Sequence, residues 1–191
     1  IGSGLVGSEM CIRDRFLSGC PMRCLYCHNP DTWDPKGGTL TSVEELLAQY
    51  DKMKHFYTKG GITVSGGEPL MHPLVPLTEG LKANGLQVFL ETSGTHPLQG
   101  EFDWICLSPK RQAPPLEEVF QAADELKVVI GDAEDLLWAE QCAARAGKSC
   151  RLYLQPEWSR FAEAVRLITE YVKAHPQWKV SLQTHKFMEI P

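Results

Sequence analysis

The chain has no apolar run approaching the roughly 20 residues of a membrane span, so it reads as a soluble protein. It has no surplus of positive charge. Its 19 Lys and Arg stand against 24 Asp and Glu, a formal charge of −5, which leaves no electrostatic footprint for nucleic acid. The opening IGSGLVGSEMCIRDR is no secretory leader, because it lacks a basic start and an apolar core of about 7–15 residues. Repeats, low-complexity tracts and linkers are absent. Disorder is excluded by 43% hydrophobic, 23% charged and 9% aromatic residues. At 191 residues the chain suffices for one sizeable core, and not for two ordinary domains with a linker. An even set of cysteines is also missing. The seven are Cys11, Cys20, Cys24, Cys27, Cys106, Cys142 and Cys150. In a mid-sized chain such clustering points to metal in a reducing cytoplasm rather than to a disulfide framework.

Residues 1–15 show neither a helical nor a strand period. Their MCIRDR run resembles the in-frame translation of a sequencing-library adapter; the alternative is an ordinary disordered N-terminus. The expectation is a non-native leader at 1–15, in which Cys11 has no function, followed by a single domain over 16–191 that begins downstream of a lost start.

From Phe16 onward strands and helices alternate. Phe16–Ser18, Ile62–Val64, Val88–Leu90, Trp104–Leu107, Leu126–Ile130, Arg151–Leu154 and Lys179–Leu182 read as strands. Thr41-Ser42-Val43-Glu44 reads as a capping box opening a helix with Val43, Leu46, Leu47 and Tyr50 on one face. Pro73 suits a first helical turn, with Leu74, Leu77 and Leu81 as the stripe and Gly85 as the stop. Further helices are expected over Leu116–Ala123, from a cap at Asp132 to Gly147, and over about Ser159–Lys173. Strands separated by helices mean βαβ units and a parallel sheet, curved or closed.

Polar constellations follow six strand ends: Cys20 to Cys27, Ser65-Gly66-Gly67-Glu68, Glu91-Thr92-Ser93, Ser108-Pro109-Lys110, Gln155-Pro156 and Gln183-Thr184-His185. In barrel and half-barrel α/β folds the strand C-termini form one mouth, which holds the active site. Loops are polar in any case, but six such coincidences exceed what solvated turns explain.

The sharpest motif is Cys20-Pro-Met-Arg-Cys24-Leu-Tyr-Cys27. Three thiolates this close can ligate three irons of one 4Fe-4S cube and leave the fourth iron open. Gly19 and Pro21 favour a wrapping loop that lets the sulfurs converge. The other reading is a zinc site with His28 as fourth ligand, an allowed Cys₃His set. Cys106, Cys142 and Cys150 lie in strand or helix patterns and read as core or surface thiols.

The cysteine motif after a first strand, with Gly66-Gly67-Glu68-Pro69 after the next, resembles the radical S-adenosylmethionine (radical SAM) superfamily over Phe16 to Pro191. The resemblance implies an α/β fold, a partial TIM-like barrel of parallel strands. It implies a 4Fe-4S cluster on Cys20, Cys24 and Cys27, with S-adenosyl-L-methionine chelated to the open iron and cleaved to a 5′-deoxyadenosyl radical. Tyr26 would lie against the adenine, Gly66 and Gly67 would allow close backbone approach, and Glu68 belongs to the motif that holds the methionine amino group. Ser93 joins the same cofactor-binding set.

From Met71 onward GGEPLMHPL, ETSGTHPL, DWICLSPK, ELKVVI, YLQPEW and VSLQTHKFMEIP resemble the 7-carboxy-7-deazaguanine synthases of queuosine biosynthesis. That resemblance implies S-adenosyl-L-methionine contacts from Ser108, Pro109, Lys110, Gln155, Pro156, Glu157 and Trp158. It implies substrate contacts from Ser65, Glu91, His185 and the terminal carboxylate of Pro191. Taken singly, Lys110 reads as a solvated charge and His185 as a satisfied core residue. The implied reaction contracts the ring of 6-carboxy-5,6,7,8-tetrahydropterin with loss of ammonia, beside Mg2+ and with a flavodoxin- or ferredoxin-type reductant.

Three departures qualify the likeness. His28-Asn29 stands where the synthases carry Asp-Thr, so an Mg2+ site at Asn29 is in doubt. The family's N-terminal segment is missing or replaced, which is expected to impair the chain. Residues 16–70, with CPMRCLYCHNPDTWD and GGITVSGGEPL, resemble the activating enzyme of pyruvate formate-lyase, so a join of two genes near residues 66–71 is expected. The rival functions are a glycyl-radical enzyme activase and, from another class, a zinc-binding structural module. A homodimer is compatible with the sequence.

Overall fold

The computed structural model describes residues 14–18, 20, 30–34, 36–52 and 61–187. Seven strands form one sheet in the order β1 to β7: β1 Asp14–Phe16, β2 Gly61–Ser65, β3 Gln87–Thr92, β4 Trp104–Leu107, β5 Glu125–Ile130, β6 Arg151–Pro156 and β7 Trp178–Val180. Every strand pairs in parallel with its neighbour in sequence. Among the described residues β1 and β7 each pair on one side alone and not with each other, so the sheet does not close, in keeping with a partial barrel.

The helices are α1 Val43–Asp51, α2 Val75–Ala83, α3 Glu117–Ala122, α4 Ala133–Ala143, α5 Phe161–Ala174 and α6 Thr184–Phe187. Strand periodicity decides which face they cover. Ile62 and Val64 of β2, Val88 and Leu90 of β3 and Ile105 of β4 pack with Leu74 and Leu81 at α2. Leu107, Leu126, Val128, Ile130 and Leu154 pack with Val119 and Phe120 of α3, Leu136 and Ala139 of α4 and Ile168 of α5. Glu140 of α4 binds two partners, accepting from the Tyr171 hydroxyl at 2.5 Å and the Trp178 indole at 2.8 Å, which ties α4, α5 and β7 together.

The intervening strand positions form the opposite, concave face. At its lower end lie Phe89 and Trp104, laterally paired, with the Arg151 guanidinium 4.8 Å from the Trp104 ring centroid. Gly61 makes room for this floor, since a Cβ there would come within 2.8 Å of the Phe89 ring and 2.0 Å of the Gln87 carbonyl oxygen. One lateral row higher stand Glu91, Cys106 and Glu125 in register. Lys127 is one pleat higher still, opposite Tyr153.

Several boundaries differ from the sequence reading. The first capping box is Ser42 with Glu45, one residue later than expected: Ser42 Oγ accepts from Glu45 N at 3.2 Å and Ser42 N donates to Glu45 Oε2 at 2.8 Å. α2 starts at Val75 with Pro76 in its first turn, because Pro69–Met71 forms a separate 3₁₀ turn and Pro73 lies between the two. β1 begins at Asp14, inside the segment expected to lie outside the fold. α4 stops at Ala143, short of Gly147. β7 starts and ends earlier than expected. Ahead of α5, Glu157 caps a 3₁₀ turn at Trp158–Arg160.

Among the described residues no helix is long and apolar enough to cross a membrane. Ile168 is fully buried between α5 and the sheet, so Ile168→Ala is expected to cost about 2–5 kcal/mol, read as a lower urea midpoint with an unchanged slope.

Candidate active site

The described members of the expected set all follow or end strands, and the parallel sheet brings those ends to one edge. Cys20 follows β1. It is 6% exposed and free, and its N–H donates to the Thr32 carbonyl at 3.0 Å. The turn after β2 leans on it. Gly66 and Gly67 have φ of 78° and 62°, a left-handed pair that L side chains adopt only at a cost. A Cβ on Gly67 would meet Cys20 Cβ at 2.9 Å and the Leu17 carbonyl oxygen at 3.2 Å. The missing side chain is thus what lets the two loops touch at the thiol. A buried free thiol cradled by a glycine turn fits a cluster ligand. Cys24, Cys27, Tyr26, Asn29, His28 and Pro191 lie outside the described residues, as does the side chain of His185.

Glu68 is buried beside this turn. Its Oε1 accepts from Leu70 N at 3.1 Å and Thr92 Oγ1 at 2.5 Å. Its Oε2 accepts from Ser93 N at 2.8 Å and from the Ser93 hydroxyl. Four donors match the acceptor capacity of a carboxylate, so Glu68 binds the loop after β2 to the end of β3. Thr92, expected at the mouth only as part of the run Glu91-Thr92-Ser93 and with no role of its own, also accepts from Gly94 N at 2.9 Å through its hydroxyl.

The other loops have similar fastenings. Ser108 and Pro109 are buried after β4, and Lys110 Nζ donates to Ser108 Oγ at 2.9 Å. Arg111 ties that loop to α4 through Glu134 at 3.0 Å and Asp135 at 3.4 Å. Gln155 and Pro156 are buried at the end of β6. The Glu157 carboxylate accepts from Ser159 N at 3.0 Å, Ser159 Oγ at 2.7 Å and Arg160 N at 2.9 Å, so it shapes the turn that presents Trp158. The Trp158 ring meets Phe161 at 5.4 Å and Phe187 at 5.2 Å between centroids, with Lys186 Nζ 5.2 Å above it. These contacts dock α6 beside the mouth.

Ser65 ends β2, and Glu91 stands one residue beyond the last paired position of the neighbouring strand, Val64 with Leu90. Glu91 Oε1 is 2.5 Å from Lys127 Nζ, with side-chain exposures of 21% and 5%. Burial opposes the charge of Lys127, but Glu91 beside it, then Cys106 and Glu125, hold its pKa above the ordinary lysine range. Lys127 is the functional candidate that motif reading passes over. The signal for it was a lysine in the otherwise apolar run Leu126–Ile130, since unpaired lysines are almost never fully buried. Cys106 is buried, and burial pushes its thiol well above the usual range.

The sequence model of the Radical SAM superfamily matches residues 15–106. A 7-carboxy-7-deazaguanine synthase of Flavobacterium psychrophilum is 41% identical over 175 residues, 92% of this chain and 81% of that protein. One of Synechocystis is 41% identical over 174 residues, 91% and 81% of the two chains. The crystal structure of QueE from Escherichia coli aligns with a TM-score of 0.72 at 29% identity, over 88% of this chain and 83% of that one. Coverage of 92% carries the first alignment through residues 66–71, so the likeness to the synthases extends upstream of Met71.

Gly67→Ala is expected to fold and yet to reconstitute with far less iron and sulfide than the parent, because the new methyl displaces Cys20. Burial also pushes the thiols of Cys142 to about 12 and Cys150 to about 11. Both should resist iodoacetamide at neutral pH and react after denaturation, as peptide mass mapping would read, because the thiolate is the nucleophile.

Proposed function

The chain belongs to the 7-carboxy-7-deazaguanine synthases of the radical SAM superfamily, and from that premise we propose that it converts 6-carboxy-5,6,7,8-tetrahydropterin to 7-carboxy-7-deazaguanine. The observation that carries the reading is 41% identity sustained over 92% of the chain. Cys20, Cys24 and Cys27 would hold a 4Fe-4S cluster. When bound, the cluster and S-adenosyl-L-methionine supply the one-electron chemistry that removes a hydrogen atom from the substrate.

The remaining work belongs to the chain. Gly66 and Gly67 leave room for the cofactor to approach the backbone, and Glu68 fixes that turn against β3. Ser93, Ser108, Pro109, Lys110, Gln155, Pro156, Glu157 and Trp158 line the cofactor side of the mouth. Ser65, Glu91 and His185 offer the substrate polar groups, while Phe89 and Trp104 exclude water from below. Pro191 belongs to the same proposed substrate set. Mg2+ would take oxygen ligands from Asn29 and the substrate carboxylate, in keeping with a hard cation. The free thiols Cys106, Cys142 and Cys150 suit a reducing cytoplasm, in which a flavodoxin- or ferredoxin-type protein would supply the electron. A homodimer is part of the same proposal.

Anaerobic reconstitution is expected to give about four irons and four sulfides per chain, and the reduced protein to form the deazapurine carboxylate while recovering S-adenosyl-L-methionine. One zinc without sulfide would instead support a structural module. Irreversible consumption of S-adenosyl-L-methionine without pterin conversion would favour an activating enzyme.

A further inference from the structure

The ion pair on the concave face joins strands that are not neighbours. Lys127 is on β5 and Glu91 on β3, and β4 runs between them. Adjacent strands lie about 4.8 Å apart, so the pair bridges roughly 10 Å of sheet. A long side chain is needed for that reach, and so is a small one beneath it. Cys106 provides the second condition: it stands in register with Glu91 on one side and Glu125 on the other, and its side chain ends at one sulfur atom.

Glu125 is the other carboxyl near Lys127. It is 2% exposed, receives the Cys106 Sγ at 3.6 Å on Oε1, and its Oε2 accepts no hydrogen bond from the described residues. Burial pushes the Glu125 carboxyl up, against the pull of Lys127 and its hydrogen bonds. Glu91 is therefore the principal counter-charge of the lysine. A buried ion pair rarely outperforms an apolar pair of the same volume in stability, so stability alone is a weak reason for this one. Glu91 is the more exposed of the two partners, at 21% against 5%, and lies at the strand end beside Ser65.

We propose that Lys127 is a positioning residue: reaching over Cys106, it fixes the Glu91 carboxylate at the mouth, where that carboxylate accepts hydrogen bonds from N–H groups of the substrate heterocycle. The proposal deepens the synthase reading and rests on it. The lysine touches no substrate, and the cofactor side of the site is independent of it. Cys106 serves as a spacer whose size matters and whose thiol does not.

The test uses the reconstituted full chain and its variants K127M, K127R, C106A and C106L. K127M should raise the KM for 6-carboxytetrahydropterin by at least about tenfold, as loss of one partner of a buried charged pair does, with a smaller change in kcat and unchanged affinity for S-adenosyl-L-methionine. K127R should recover most of that loss. C106L should reproduce the K127M defect by obstructing the reach, whereas C106A should stay within about twofold of the parent in KM. KM does not depend on the fraction of folded protein, so partial misfolding leaves the comparison valid. The assignment is overturned if K127M lowers Tm yet keeps the parent KM, or if C106A raises KM as much as C106L. Should the parent neither bind nor convert the pterin, the synthase reading fails and the proposal falls with it. If the parent does both and K127M matches it, only the role of Lys127 fails.

Discussion

Each strand runs beside its predecessor in the same direction, and most of the site's geometry descends from that constraint. Parallel neighbours need a crossover, and the crossovers place helices on one face of the sheet. The other face is left concave, with all strand C-termini on one rim. Residues as distant in sequence as Cys20, Glu91 and Gln155 meet on that rim because each ends or follows a strand, and no long-range loop is required to gather them.

A rim built from loops needs fastening, and buried carboxylates supply it. Glu68, Asp135 and Glu157 each accept backbone N–H groups from the turn that follows a strand. Such turns leave several amides without helical or sheet partners, and a short acidic side chain is an economical acceptor for them. Glu91 differs from these three. Among its partners is a lysine from two strands away, which holds it by charge.

Much of this was legible from the chain. Alternating apolar triplets and helical stripes located the seven strands within a few residues, because the core of a parallel sheet must be apolar on its helix-covered face. Asp132 was recognised as a cap and is one, accepting from Glu134 N and Asp135 N. The first capping box was displaced by one residue because Thr41-Glu44 and Ser42-Glu45 both fit the pattern, and only the helix start at Val43 decides between them. Pro73 and Pro76 posed a similar choice. The structure places Pro73 between two elements because Pro69–Met71 already turns the chain. Tertiary ties were beyond pattern reading. Glu68 announced itself by its motif, but its bonds to Thr92 and Ser93 depend on loops brought together only by folding. Lys127 is invisible to spacing because its partner is thirty-six residues away on a strand it does not adjoin.

The floor of the concave face has one more consequence. Phe89 and Trp104, backed by Arg151 and admitted by the bare Gly61, fill the end of the cup opposite the rim. Among the described residues that end is packed with side chains, while the opposite rim carries the polar ones. A small molecule approaching from the rim meets polar groups first and aromatic surface last, so the polarity of its surroundings falls with depth.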